Sequence, residues 1–130
     1  MTLYESLLEA VTTEYDTLRV LKQSPRGTVS VVRHKKSGTR YIFRRYSGSG
    51  EVYRRLLPVL CPHLPQIMEA AEQDGQTAVL EEYVQGDTLA ELLTGARLTE
   101  REARQVTMQL CQALHVLHSM GAVHRDVKPE

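Results

Sequence analysis

Two hairpin signals followed by two helix-start signals restrict what this chain can fold into more than any other feature. Val29 to His34 is a β-branched run, and Arg40 to Tyr46 is a second stretch of strand formers. Lys36-Ser37-Gly38-Thr39 between them reads as a turn. Further on, Gln66 to Glu72 and Thr77 to Val84 read as strands, joined by Gln73-Asp74-Gly75-Gln76, and Asp-Gly is a strong hairpin dipeptide. After residue 84 the pattern changes. Thr88 with Glu91, and Thr99 with Glu102, have the spacing of a capping box. The first opens a short helix through Leu93. The second opens a long helix ending near Met120, with Val106, Leu110, Ala113, Leu114 and Leu117 on one stripe and Gly121 placed to end it.

The rest of the chain fits around these elements. Thr2 to Thr12 reads as an amphipathic helix whose stripe is Leu3, Leu7, Leu8 and Val11, with Glu5 and Glu9 outside it, and it is expected to pack on the sheet. Tyr15 to Lys22 is a strand candidate with Leu18, Val20 and Lys22 on one face. Ser47-Gly48-Ser49-Gly50 is a flexible connection, and a short helix from Glu51 to Leu57 is stopped by Pro58. Leu60 to Pro65 is expected to be irregular. The order is helix, three strands, helix, two strands, two helices, which is an α+β class. Lys+Arg and Asp+Glu are 16 each, so no charge excess argues for nucleic acid or a membrane surface. Cys61 and Cys111 form no C-x-x-C, as suits a reducing, cytoplasmic setting, and no apolar run approaches membrane-spanning length.

The seven residues His124-Arg125-Asp126-Val127-Lys128-Pro129-Glu130, following an amphipathic helix, carry the chemistry. They resemble the catalytic loop of the eukaryotic-type serine/threonine protein kinases, and the compact loops resemble the family's bacterial members. The resemblance implies Asp126 as the base for the substrate hydroxyl and Lys128 as the contact to the γ-phosphate. It implies ATP and Mg²⁺ as cofactors. The Asn and D-F-G metal ligands would come after Glu130, so no metal ligand is expected in these residues. The element order is similar to a kinase N-lobe, a five-stranded antiparallel sheet with an inserted helix, followed by two C-lobe helices. Residues 1–14 are then a helical extension, 15–84 the N-lobe and hinge, and 85–130 an incomplete start of the C-lobe. The chain is expected to be a truncated, by itself inactive, piece of such an enzyme.

The same resemblance assigns the nucleotide site. The glycine-rich loop aligns with Leu21 to Val29, in which Leu21, Ser24, Gly27 and Val29 occupy the binding positions. Lys22 and Ser24 replace the first two glycines, and Pro25 removes an N–H donor. Lys22 and Arg26 offer charge instead. Arg44 stands where the family has its third-strand Lys, and strand alternation puts Ile42 and Arg44 on one face and Phe43 and Arg45 on the other. Glu51 aligns with the carboxylate of the inserted helix, expected to pair with Arg44. Glu82 to Val84 form the hinge, with Glu82 and Val84 against adenine. Glu81 falls at the gatekeeper position, where a buried carboxylate needs a partner. An Arg44–Glu51–Glu81 cluster is therefore expected.

Two functions follow from this. The first is transfer of the ATP γ-phosphate to a Ser or Thr of a protein substrate. The alternative, favoured by the lost glycines, Arg44 and Glu81, is a pseudokinase-type nucleotide-binding or interaction scaffold. The apolar stripe of the long helix, if uncovered, invites self-association. His115 and His118 have a helical metal spacing with no third ligand nearby, and read as ordinary helix positions.

Overall fold

The structure is a computed structural model describing all 130 residues. It divides into two compact units, one of residues Met1–Leu60 and Pro65–Tyr83, the other of Cys61–Leu64 and Val84–Glu130.

In the first unit, helix α1 (Leu3–Glu14) precedes strands β1 (Tyr15–Ser24), β2 (Gly27–His34) and β3 (Arg40–Ser47), helix α2 (Glu51–Leu56), and strands β4 (Ile67–Gln73) and β5 (Gln76–Glu82). The five strands form one antiparallel sheet in the order β1-β2-β3-β5-β4. The predicted turns hold. Asp74 and Gly75 take φ of 51° and 74°, the conformation a tight two-residue hairpin requires and that Asp and Gly tolerate. β5 ends at Glu82 rather than Val84. Its last rung is the Glu82 N–H donating to the Gln66 carbonyl at 2.8 Å, and Val84 lies outside the strand.

Each face of this sheet has its own core. On one, Tyr4 and Leu7 of α1 pack with Val32, Phe43, Ala71, Ala78 and Leu80, flanked by Leu8 and Val11. The inward stripe is thus Tyr4 and Leu7, buried, with Leu8 and Val11 half-buried, at i, i+3, i+4 and i+7. Leu3, expected on it, is exposed, because it opens the helix just after the Thr2 cap. The start of α1 is also tied to the sheet, since the Thr2 hydroxyl donates to the Gln73 side-chain carbonyl and Gln73 Nε2 donates to Glu5. On the other face, Ile67, Ala70 and Val79 pack with Tyr46 of β3 and with Tyr53, Leu56 and Leu57 at α2. α2 is preceded by Gly50 at its N-cap, whose N–H donates to Glu72 Oε1 at 2.7 Å.

In the second unit, both capping boxes form, at Thr88/Glu91 before helix α3 (Leu89–Leu93) and at Thr99/Glu102 before helix α4 (Glu100–Ser119). Gly121, at φ 75°, ends α4. Its N–H donates to the His118 carbonyl, and that of Ala122 to Leu117, so two end carbonyls are satisfied by one left-handed residue. Along α4 the apolar stripe divides. Ala113 and Leu117 are buried, whereas Val106 and Leu110 are exposed. No helix is long and apolar enough to cross a membrane.

Candidate active site

Strand register decides which side chains share the α2 face of the sheet. Val29 lies opposite Arg44 and Val31 opposite Ile42 across β2 and β3. Across β3 and β5, Ile42 opposes Glu81 and Arg44 opposes Val79. Side chains two apart on a strand share a face, so Val29, Val31, Ile42, Arg44, Val79 and Glu81 line one surface. β1 joins it through two irregularities. One extra residue falls between Thr17 and Arg19 and another between Val20 and Lys22, so that Arg19 opposes Val31 and Lys22 opposes Val29. Leu21 is the extra residue of the second bulge and is exposed. The sequence-assigned residues Leu21, Val29, Ile42 and Arg44 are thereby brought to one region of this unit.

The β1–β2 tip is a two-residue turn, Pro25-Arg26, closed by the pairing of Ser24 with Gly27. Neither tip residue has positive φ. Proline carries no N–H, and the Arg26 N–H is directed at Ser24 Oγ at 3.3 Å. The Arg26 carbonyl accepts from Ser47 N–H at 2.9 Å, anchoring the tip to the end of β3. The tip thus presents charge, from Lys22 and Arg26, rather than a row of backbone donors. Gly27 has a reason of its own: a Cβ there would lie 2.0 Å from the Arg45 carbonyl oxygen and 2.7 Å from Tyr46 Cα.

Arg44 and Glu81 make the main polar contact of the face. Arg44 Nε donates to Glu81 Oε1 at 2.8 Å, and Nη2 reaches the same oxygen at 2.7 Å. The Glu81 side chain is only 8% exposed and that of Arg44 36%. Burial alone would lower the Arg44 guanidinium, but the hydrogen bond and charge of Glu81 more than offset it and hold it above its ordinary value. Glu51 is not part of this arrangement. It is 59% exposed and pairs with Arg55 at 2.6 Å, one turn along the same helix. The expected Arg44–Glu51 contact is replaced because α2 turns its Tyr53, Leu56 and Leu57 edge inward and its Glu51–Arg55 edge outward. Tyr53 was missed from the sequence, yet its signal was present: positions 53, 56 and 57 are apolar at i, i+3 and i+4, and 51 and 55 are an i, i+4 charge pair.

Tyr53 is also a reporter of this environment. Burial pushes its hydroxyl above the ordinary value of 10.0, Arg44 pulls it back and Glu81 raises it again. A phenol whose folded-state value is raised contributes stability that is complete below the unfolded value and is lost as pH rises through the folded one. The melting temperature is expected to fall on titration from about pH 9 to pH 12, and Tyr53→Phe should remove part of that slope. Equal slopes for both proteins would contradict it.

At the hinge, Glu82 is exposed, its carboxylate accepts from Gln66 N–H at 3.0 Å, and its own N–H is committed to Gln66, so any hinge donor must come from another residue. Val84 belongs to the second unit and is exposed.

The second unit carries the loop after α4. Arg125 sits at φ 68°, an uncommon conformation for a side-chain-bearing residue. It lies between His124, whose Nδ1 accepts from the Asp126 N–H at 3.1 Å, and the following residues. Lys128 Nζ is 3.3 Å from Asp126 Oδ2, both exposed. The Pro129 carbonyl accepts from Ala90 N–H at 2.9 Å, fastening the loop to the first turn of α3. No three His, Cys, Asp or Glu side chains of the chain come together in one group.

A family model described as protein kinase domain matches residues 27–130. The chain is 26% identical, over 98% of its length, to a Rho-associated protein kinase of Caenorhabditis briggsae, of which it covers 12%. It is 28% identical, over 90% of its length, to Rho-associated protein kinase 1 of Homo sapiens, of which it covers 10%. Over 53% of its length it is 39% identical to a serine/threonine-protein kinase of Drosophila persimilis, of which it covers 9%. The chain thus spans about a tenth of the length of these relatives.

Proposed function

The chain belongs to the protein kinase family, and from that premise we propose that its residues form the nucleotide-binding lobe and catalytic loop of a cytoplasmic serine/threonine kinase. The observation that supports this most is the Asp126–Lys128 pair, 3.3 Å apart on a loop tied to α3 through Pro129. Asp126 accepts the proton of a Ser or Thr hydroxyl as its oxygen attacks the γ-phosphorus. Lys128 neutralises charge on the transferred group, and its place in this loop favours Ser/Thr over Tyr. On the sheet face, Val29 and Ile42 offer an apolar seat for the base of ATP, while Arg44 and Lys22 are cations for its phosphates. The donor set therefore fits a nucleoside triphosphate. Mg²⁺, when bound, supplies further charge neutralisation. The 130-residue polypeptide by itself is expected to bind ATP without transferring phosphate.

The scaffold reading is favoured by one observation, the hairpin tip that offers phosphate no free backbone N–H. Two measurements separate the readings. Titration of the 130-residue chain with a fluorescent ATP analogue is expected to give saturable binding, competed by ATP and weakened by Lys22→Glu. Absence of saturable binding overturns the nucleotide site. In a polypeptide that continues these residues with a complete C-lobe, Asp126→Asn should lower kcat by about 10²–10⁴-fold with little change in the KM for ATP. A kcat indifferent to that change, or none to begin with, leaves the scaffold.

A further inference from the structure

We infer that Glu81 of β5, and not a residue of the inserted helix α2, is the positioning residue for Arg44, so that the phosphate-side cation is oriented independently of where α2 sits. The inference rests on the nucleotide reading above and deepens it.

The bridge geometry is set by the sheet. Ile42 and Glu81 are register partners, and Arg44 lies two residues along from Ile42 on the same face. The two charged side chains therefore meet across adjacent paired strands, with no loop or helix between them. Both Arg44 contacts, at 2.8 and 2.7 Å, fall on the single oxygen Oε1 of a nearly buried carboxylate. α2 is six residues long, its only first-turn acid is Glu51, and that acid is exposed and engaged by Arg55. The α2 side chain packed on this face with Ile67, Ala70 and Val79 is a phenol, Tyr53, which holds no charge to orient a cation at neutral pH.

This arrangement also explains why position 44 is arginine. A guanidinium has five N–H donors in a planar fork. The Nε edge is spent on Glu81, and three N–H groups of the two terminal nitrogens remain for an anion. One side chain can hold a carboxylate on one edge and a phosphate on another. A lysine ammonium is a single point and would have to divide itself between them. Arg44 and Glu81 thus act as one unit, a cation mounted on the sheet.

The test uses the 130-residue chain with ¹⁵N-arginine and the fluorescent ATP analogue. The Arg44 Nε–H resonance is expected to be slowly exchanging in the wild type and in Glu51→Gln, and lost in Glu81→Gln. Analogue affinity is expected to be unchanged in Glu51→Gln and to fall about tenfold in Glu81→Gln and in Arg44→Lys, the value of one charged hydrogen bond. Glu51 is exposed and Arg44→Lys keeps the charge, so both variants stay folded should Glu81→Gln not. Loss of the resonance or of affinity in Glu51→Gln, or an Arg44→Lys variant that binds as tightly as wild type, overturns the inference. If the wild type binds no analogue, the nucleotide reading fails on its own. The resonance in Glu51→Gln then still decides whether α2 holds Arg44.

Discussion

Gly27→Ala is expected to destabilise the first unit by about 3 kcal/mol, among the largest effects of any single methyl group added to this chain. The added Cβ would stand 2.0 Å from the Arg45 carbonyl oxygen and 2.7 Å from Tyr46 Cα. Both obstacles are backbone, so no side-chain rotation relieves the overlap. Relief requires β2 to separate from β3 over the rungs Gly27–Tyr46 and Thr28–Arg45, and beside those rungs lies the Arg26–Ser47 hydrogen bond that anchors the hairpin tip. Gly95 is the control. A Cβ there meets nothing within 4 Å and its backbone is not left-handed, so Gly95→Ala should be neutral or stabilising by up to about 1 kcal/mol. Urea unfolding of the three proteins measures both. A Gly27→Ala chain as stable as wild type would show that the close approach of β2 to β3 is wrong.

That glycine has a reason within the sheet itself. Gly27 aligns with a glycine of a phosphate-binding loop, where glycine is needed so that the backbone can approach a ligand. The one N–H of the Pro25-Arg26 tip is directed at Ser24 Oγ, and glycine at position 27 is required by the neighbouring strand.

Arg44→Met is the second large effect, with an expected cost of about 3 kcal/mol. The two partners of the bridge are not equivalent. Glu81 is nearly buried, and without Arg44 its carboxylate is left without a cation in a weakly solvated site between Ile42, Ile67 and Val79 register positions. Arg44 is exposed by about a third, so on loss of Glu81 its guanidinium can turn to water. Glu81→Met should therefore cost only about 1 kcal/mol, and the double replacement Arg44→Met with Glu81→Met should recover most of the loss of the first. Thermal or urea unfolding of the four proteins forms a double-mutant cycle whose coupling energy reads the bridge directly. Additive costs would mean that the two side chains do not interact. The cycle concerns stability alone and does not depend on what the face binds.

Local chemistry made much of the architecture readable. Turns that need left-handed residues carry Asp74-Gly75 and Gly38, both helices with a Thr-x-x-Glu start begin where that spacing places them, and Gly121 ends α4. Alternation along β3 separated Ile42 and Arg44 from Phe43 and Arg45, since period two leaves no other choice within a strand. These are decisions taken within a few residues, where the sequence holds all the information needed.

The candidate site was legible in part for the same reason. Arg44, Ile42, Val29 and the Asp126–Lys128 loop could be named because each sits in a local motif. What the sequence by itself determined was the set of elements, their order, and which chemical groups lie on each. Tertiary structure alone decided which of two acids, Glu51 or Glu81, meets Arg44. That choice depends on the rotation of a six-residue helix about its own axis and on the β3–β5 register, which brings together residues 37 apart. A carboxylate on a short helix is presented or withheld by a rotation of a fraction of a turn, governed by the burial of Tyr53, Leu56 and Leu57 against Val79 and its neighbours. A carboxylate on a paired strand has no such freedom, which is why the sheet, and not the helix, holds the cation.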